Sequence, residues 1–259
     1  MMINPAMPRS SLRPIFPKVQ SKARMRLLCF PYAGGNHMIF RLWQNQLPDS
    51  VELCAIRLPG RGASVHEPHF TRMESLIPVV AETILPACDK PFAFFGHSMG
   101  AMVAFEMARH LRREKGLEPV QLFVSGRRAP HLPDTDQRTY ELPDAKFIEE
   151  LRRIKGTPDE VLSNPELMQM IIPTIRADFE VCHTYQWIPE KPLSCRIVAY
   201  GGLGDEEEDK KKIEAWREVT TGPFSVRMFP GDHFFIHTSE ALLLRALAKD
   251  LYQIVSGLN

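Results

Sequence analysis

The sequence has few cysteines, and they follow no regular spacing. The five are odd in number and none forms a C-x-x-C pair: Cys29, Cys54, Cys88, Cys182 and Cys195. Two lie inside apolar runs, where a thiol behaves as a small hydrophobic side chain. Metal and disulfide frameworks need ligand spacings that are absent here. We therefore expect neither, and a reducing, cytoplasmic location.

Long apolar runs and an excess of charge are also lacking. No run approaches the roughly 20 apolar residues that cross a bilayer. The 32 basic and 31 acidic residues give a formal net charge of +1, which is atypical of nucleic-acid binders. The sequence thus predicts a soluble protein with neither a membrane nor a nucleic acid as partner.

Acidic residues are missing from the first 26 positions, which hold only basic charges: Arg9, Arg13, Lys18, Lys22, Arg24 and Arg26. Four prolines in the same stretch deny helix and sheet their hydrogen bonds. We predict a disordered or loosely docked tail over 1–24, followed by one domain over 25–259. The tail has no apolar segment typical of a secretory signal, although its basic, acid-free composition is also found in transit peptides.

Apolar runs alternate with helical patterns along the rest of the chain. Strands are predicted in 25–35, 51–62, 91–96, 120–126, 195–202 and 224–233, and helices over 73–88, 99–116 and 239–255. This alternation predicts an α/β domain with a mostly parallel central sheet flanked by helices.

One segment breaks the alternation. About 131–190 contains helical patterns at 144–154 and 164–172 but no convincing strand. Asn164 and Pro165 form a typical helix start, as cap and first-turn proline. A helical insertion between two strands predicts a lid.

A serine stands between two glycines at the end of a predicted strand, in Gly96-His97-Ser98-Met99-Gly100. A tight strand-to-helix turn of this form lifts the hydroxyl out of the sheet. Serine becomes a nucleophile only with a base that a third group orients, in the chain order Ser, acid, His.

The acid and the base are predicted from the ends of the late strands. Asp205 comes first after the strand 195–202, with Asp209 as the alternative, and most of the acidic run there is expected to be solvated. His233 follows the next strand, while His237 has a weaker claim and His97 is expected to pack or cap.

An oxyanion intermediate also needs two hydrogen-bond donors. One is predicted to be the amide of Met99, directly after the nucleophile. The other is predicted in PYAGG (31–35), with the Ala33 amide preferred and Tyr32 as the alternative.

These motifs together resemble the type II (editing) thioesterases of polyketide and nonribosomal peptide synthesis, in the α/β-hydrolase superfamily. The matching pieces run in order over about 25–255: FPYAGG (30–35), IRLPGRG (56–62), FFGHSMGAMVAFEMA (94–108), SGRRAP (125–130), the turn at Asp205 with Trp216 beyond it, TTGPF (220–224) and PGDHFFI (230–236). The family's triad falls on Ser98, Asp205 and His233.

The resemblance implies an α/β-hydrolase fold and hydrolysis of acyl thioesters on the phosphopantetheine arm of an acyl or peptidyl carrier protein, removing stalled or aberrant acyl groups. It implies no metal or dissociable cofactor, and we expect a monomer. Two residue sets become candidates: lid residues for the acyl chain (Leu167, Met168, Met170, Ile171) and arginines for the arm's phosphate or an acidic carrier (Arg57, Arg61, Arg127, Arg128).

Two alternatives stay open. A medium-chain fatty acyl-carrier-protein thioesterase would share the triad, its order and the lid. A non-catalytic binding protein with a hydrolase fold would keep the fold without the reaction.

Overall fold

The chain builds one sheet of six strands, all parallel. The computed structural model describes residues 14–15, 20–61, 69–134 and 138–258. Its strands are β1 (Met25–Phe30), β2 (Val51–Ala55), β3 (Phe92–His97), β4 (Gln121–Ser125), β5 (Arg196–Gly202) and β6 (Phe224–Phe229). They lie in the order β2-β1-β3-β4-β5-β6. The predicted α/β class is confirmed.

Helices cover both faces of this sheet. They are α1 (Met73–Ile84), α2 (Met99–Lys115), α3 (Asp144–Ile154), α4 (Asp159–Leu162), α5 (Pro165–His183), α6 (Lys210–Glu214), α7 (Phe235–Thr238) and α8 (Glu240–Gly257). Successive side chains of a strand point to opposite faces. In β1, Leu28 and Phe30 join the cluster with α1 and α2, whereas Leu27 and Cys29 join the cluster with α8. The inner strands β1, β3 and β4 are buried on both faces and are mostly apolar.

The insertion between β4 and β5 carries α3, α4 and α5. These helices share a small apolar cluster of their own: Phe147, Leu151, Leu162, Met168 and Ile175. Asn164 caps α5 as predicted, accepting the amides of Glu166 and Leu167 at 3.1 Å each. The helix runs eleven residues beyond the predicted end at 172, because Pro173 lies inside it without ending it.

Part of the predicted tail is attached to the sheet. Ile15 exchanges two backbone hydrogen bonds with Ala55, at 3.0 and 2.8 Å, beside the outer strand β2. Of the tail predicted over 1–24, the structure describes 14–15 and 20–24, whereas 1–13 and 16–19 lie outside the described residues. Within the described part of the chain, no helix is both long enough and apolar enough to cross a membrane.

The strand order creates a crevice at the carboxyl ends of the strands. From β1 the chain crosses to β2 on one side, and from β3 it proceeds to β4 on the other. Ligands of open α/β sheets bind outside the carboxyl ends of the strands at such a point of reversal. The segment 31–35 after β1 and the turn after β3 therefore meet there.

The elbow between β3 and α2 makes a stability prediction. A Cβ atom on Gly96 would lie 2.0 Å from the carbonyl oxygen of Gly100, which is backbone and cannot move aside cheaply. We expect Gly96→Ala to lower the free energy of unfolding in urea by about 3 kcal/mol. Gly257→Ala is the control, because nothing lies within 4 Å of its added methyl group. Equal losses in the two variants would contradict the steric argument.

Candidate active site

Ser98 occupies a strained turn at the crevice. Its backbone angles are φ 54° and ψ −119°, a positive φ that non-glycine residues rarely adopt. The amide of Ser98 donates to the carbonyl oxygen of Ser125 on the neighbouring strand at 2.7 Å, which holds the turn against the sheet. The side chain is thereby directed out of the carboxyl edge, as expected for a nucleophile elbow.

Three side chains from three strand ends form one hydrogen-bonded chain at this edge. The hydroxyl of Ser98 donates to Nε2 of His233 at 3.0 Å, and Nδ1 of His233 donates to Oδ2 of Asp205 at 2.8 Å. Such a chain fixes the imidazole tautomer and turns the free nitrogen towards the hydroxyl. The structure thus brings together the nucleophile, base and acid named from the sequence.

The loops that carry Asp205 and His233 are packed backbone against backbone. Leu203 donates to Phe229 and Gly204 to Gly231, each at 2.8 Å. A Cβ on Gly202 would lie 2.4 Å from the carbonyl oxygen of Asp232, so only glycine permits this approach. The separation of acid and base therefore depends on the backbone rather than on the two side chains alone.

The charges around His233 make it a stronger base than an ordinary histidine. Burial alone would lower the pKa of His233, but the hydrogen bond and charge of Asp205, aided by Glu208 and Glu207, outweigh burial and leave that pKa above 6.5. Burial likewise opposes ionisation of Asp205. Its bond to His233 and the amides of Glu208 and Glu207 prevail and lower its pKa.

The alternatives from sequence lie elsewhere. Asp209 caps α6 and accepts the amide of Lys212 at 2.9 Å. His237 meets the hydroxyl of Tyr32 through Nε2 at 2.9 Å. His97 is fully buried, with Nδ1 2.9 Å from the hydroxyl of Ser125. Burial first, then the charges of His233 and His237, hold the pKa of His97 well below its ordinary value.

Glu208 of the acidic run is buried together with Asp205, whereas Glu206 and Asp209 are exposed and Glu207 is half-buried. Glu208 accepts Nε of Arg128 with both oxygens, at 3.0 and 3.1 Å. Arg127 approaches the same carboxylate at 3.6 Å and pairs with Asp134 at 3.2 Å. These arginines brace the loop of Asp205, a role that sequence reasoning missed. The signal was present, since both segments follow neighbouring strands whose carboxyl ends share an edge.

A cavity of about 330 Å³ opens beside Ser98 and His233. Its lining is mixed: Leu151, Ile154, Ile175 and Phe179 are apolar, whereas Arg127, Asp134, Glu150, Arg153 and Glu208 are charged. The cavity is lined by none of the four lid residues predicted from sequence. Leu167 and Met170 are exposed, whereas Met168 is buried in the lid cluster and Ile171 packs against it. The helix was predicted too short, so the residues that reach the site lie one to three turns further along.

The residues predicted to supply the oxyanion donors lie near the serine, in the same cavity or next to it in the chain. Ala33 and Tyr32 line the cavity with Ser98, and Met99 is the first residue of α2, where an N–H has no partner inside the helix. Among the hydrogen bonds of the described residues, none engages the amides of Tyr32, Ala33 or Met99. The assignment of Met99 and Ala33 stays a prediction, with Tyr32 as the alternative.

Known proteins resemble this chain over nearly its whole length. The family model of the thioesterase domain matches residues 25–251. Gramicidin S biosynthesis protein GrsT of Aneurinibacillus migulanus is 44% identical over 238 residues, 92% of this chain and 93% of that protein. The medium-chain S-acyl fatty acid synthase thioesterase of Anas platyrhynchos is 33% identical, covering 90% of this chain and 94% of that protein.

A solved structure is similar to the same extent. The RedJ thioesterase from the prodiginine biosynthetic pathway in Streptomyces coelicolor has a TM-score of 0.85 and 37% identity. The match covers 95% of this chain and 96% of that chain. The parallel sheet with its flanking helices is therefore an α/β-hydrolase fold, as the sequence motifs implied.

The electrostatics of the site predict the pH dependence of hydrolysis. A general base must be neutral, so kcat/KM should rise as pH increases through the raised pKa of His233. Asp205→Asn removes the carboxylate that contributes most to raising the pKa of His233. We expect the acidic limb of the pH–rate profile to move to lower pH and the plateau to fall by about 10⁴-fold. Asp209→Asn is the matched control, and a shifted limb there would instead favour Asp209 as the acid.

Proposed function

This chain belongs to the thioesterase domain family, whose members hydrolyse thioesters, and from that premise we propose a type II thioesterase of polyketide or nonribosomal peptide assembly. Its substrates would be acyl groups on the phosphopantetheine arm of an acyl or peptidyl carrier protein, removed when stalled or aberrant. The observation that carries the proposal is the relay Ser98–His233–Asp205 opening onto a lid-covered cavity. The biosynthetic relatives support its placement in antibiotic assembly.

The first half-reaction transfers the acyl group to the enzyme. As the hydroxyl oxygen of Ser98 attacks the thioester carbon, its proton passes to Nε2 of His233. Asp205 stabilises the imidazolium through Nδ1. The oxyanion is bound by the amides of Met99 and Ala33. When the intermediate collapses, the carbon–sulfur bond breaks and the arm's sulfur leaves as a thiol with the proton from His233.

The second half-reaction frees the acid. His233, neutral again, removes a proton from a water molecule, whose oxygen attacks the Ser98 ester. The same two amides bind the second oxyanion. His233 then returns the proton to Ser98, and the carboxylic acid leaves. These steps use only side chains and amides of the chain, so the proposal includes no metal and no dissociable cofactor.

The shape and charge of the cavity favour this function over a medium-chain fatty acyl thioesterase. An alkyl chain filling the cavity would lie against several charged side chains, among them Arg127, Asp134, Glu150 and Arg153, and would remove water from them, which costs free energy. Sequence identity to GrsT is also higher than to the medium-chain thioesterase of Anas platyrhynchos, 44% against 33%. The other alternative, a non-catalytic binding protein, is not retained because the chain is a hydrolase of the thioesterase family.

A monomeric, cytoplasmic enzyme completes the proposal. The five cysteines are free, with Cys29, Cys54 and Cys195 buried, which is the state that a reducing compartment maintains. The oligomeric state is measured directly by light scattering on a sizing column.

The proposed function predicts that the enzyme binds the carrier protein as well as the acyl thioester. We expect kcat/KM for a short acyl group on a carrier protein to exceed that on a free pantetheine by at least about tenfold, equivalent to about 1.4 kcal/mol of added transition-state binding. Release of acid is followed by mass spectrometry, with Ser98→Ala as the control. That variant should lose about 10⁶-fold in kcat.

Two outcomes would contradict the proposal in different ways. Equal kcat/KM on carrier and pantetheine would remove carrier recognition and leave a general acyl thioesterase. Release that is unchanged in Ser98→Ala would remove the assigned nucleophile.

A further inference from the structure

A buried ion pair joins the lid helix α5 to the loop that follows β2. Nη2 of Arg61, after β2, lies 2.6 Å from Oδ1 of Asp178 in α5. The two side chains are only 9% and 6% exposed. Burying two charges is costly, and the cost is offset only when their remaining donors and acceptors are also bound. The remaining hydrogen bonds of Arg61 and Asp178 therefore indicate which segment the ion pair stabilises.

Those bonds lead to the loop of the predicted oxyanion hole. Oδ2 of Asp178 accepts the amide of Gly34 at 2.7 Å, and Nη1 of Arg61 donates to the carbonyl oxygen of Gly35 at 2.9 Å. The ion pair thus binds the segment directly after Ala33 through the Gly34 amide and the Gly35 carbonyl. Gly34 has φ +75°, a left-handed conformation that glycine adopts freely but does not enforce.

Packing reinforces the same junction. A Cβ on Gly34 would lie 2.9 Å from Cγ1 of Ile175, so α5 lies directly against the loop. The hydroxyl of Thr174 donates to the carbonyl oxygen of Gly60, next to Arg61, at 2.9 Å. Ile175 also lines the cavity beside Ser98. One helix of the lid therefore forms a wall of the cavity and holds the oxyanion loop.

We propose that Asp178, oriented by Arg61, is a positioning residue that sets the Ala33 amide for the oxyanion. This inference rests on the proposed function, because it assigns a task within that reaction. Two adjacent glycines leave the loop flexible, whereas an oxyanion hole is effective only if its donors are in place beforehand. A charged acceptor on Gly34 fixes the peptide that follows Ala33, and with it the direction of the Ala33 amide.

The test substitutes Asp178→Asn, which keeps the side-chain shape and removes the charge. With a short acyl pantetheine as substrate, we expect kcat to fall by about 10²-fold, the scale of losing one oxyanion donor. KM should stay within about twofold, because the ground-state carbonyl depends little on the oxyanion hole. The acidic limb of the pH profile should not move, since His233 and Asp205 are untouched.

A second readout does not require turnover. An alkyl boronic acid forms a tetrahedral adduct with a serine hydroxyl and presents an oxygen to the oxyanion hole, in the manner of a transition-state analogue. We expect its affinity, measured by calorimetry, to fall in Asp178→Asn by about the same 10²-fold.

The matched control is Asp250→Asn. Asp250 is also buried and pairs with Arg227, but the pair joins α8 to β6 and touches no part of the loop. Asp178→Asn leaves a buried guanidinium without its charged partner and Asp250→Asn a half-buried one, so both variants should melt at lower temperature. Only Asp178→Asn should lose kcat and boronate affinity. Arg61→Lys serves if Asp178→Asn does not fold, because a lysine cannot hold Asp178 and Gly35 together and should lower kcat in the same direction.

The outcomes separate this inference from the proposed function. Unchanged kcat and boronate affinity in Asp178→Asn, or an equal loss of kcat in Asp250→Asn, would overturn the role of Asp178. Absence of thioester hydrolysis by the wild-type protein would contradict the proposed function instead, while boronate binding would still test the loop.

Discussion

The N-terminus of α2 can lie over the ends of β1 and β3 only because Gly96 and Gly100 carry no side chains. A Cβ on either would enter the backbone, at 2.0 Å from the oxygen of Gly100 and 2.2 Å from that of Phe30. Ser98 lies in the turn between these glycines with a φ of 54°, and the start of α2 lies beside the loop that follows β1. The nucleophile and both predicted oxyanion donors therefore depend on one backbone packing arrangement.

Buried arginine–carboxylate pairs hold the loops around this arrangement. Arg128 and Glu208 brace the loop of Asp205, and Arg61 and Asp178 brace the loop of Ala33. Loops at strand ends have few apolar contacts, and a bidentate or multiply bonded arginine supplies fixed geometry where packing cannot. The strand ends bring the reacting groups together, and the ion pairs limit how far they move.

The lid shows where a helical pattern fails as a guide to a cavity. Apolar residues at 167–171 share the spacing and composition of a substrate wall, yet Met168 packs inside the lid and Met170 faces solvent. Ile175 and Phe179 reach the cavity because α5 continues through Pro173. Which turn of a helix faces a cavity depends on how the helix docks, and its own periodicity leaves that undetermined.

The sequence by itself determined the sheet, its helices, Ser98 and His233, because parallel strands align their carboxyl ends at one edge and chain order assigns each residue to an end. Three features became visible only in the tertiary structure. Asp205 and not Asp209 bonds to His233, Glu208 is buried against Arg128, and Arg61 pairs with Asp178, 117 residues further along the chain. Those features depend on side-chain direction and on contacts between segments distant in the chain, which local pattern does not encode.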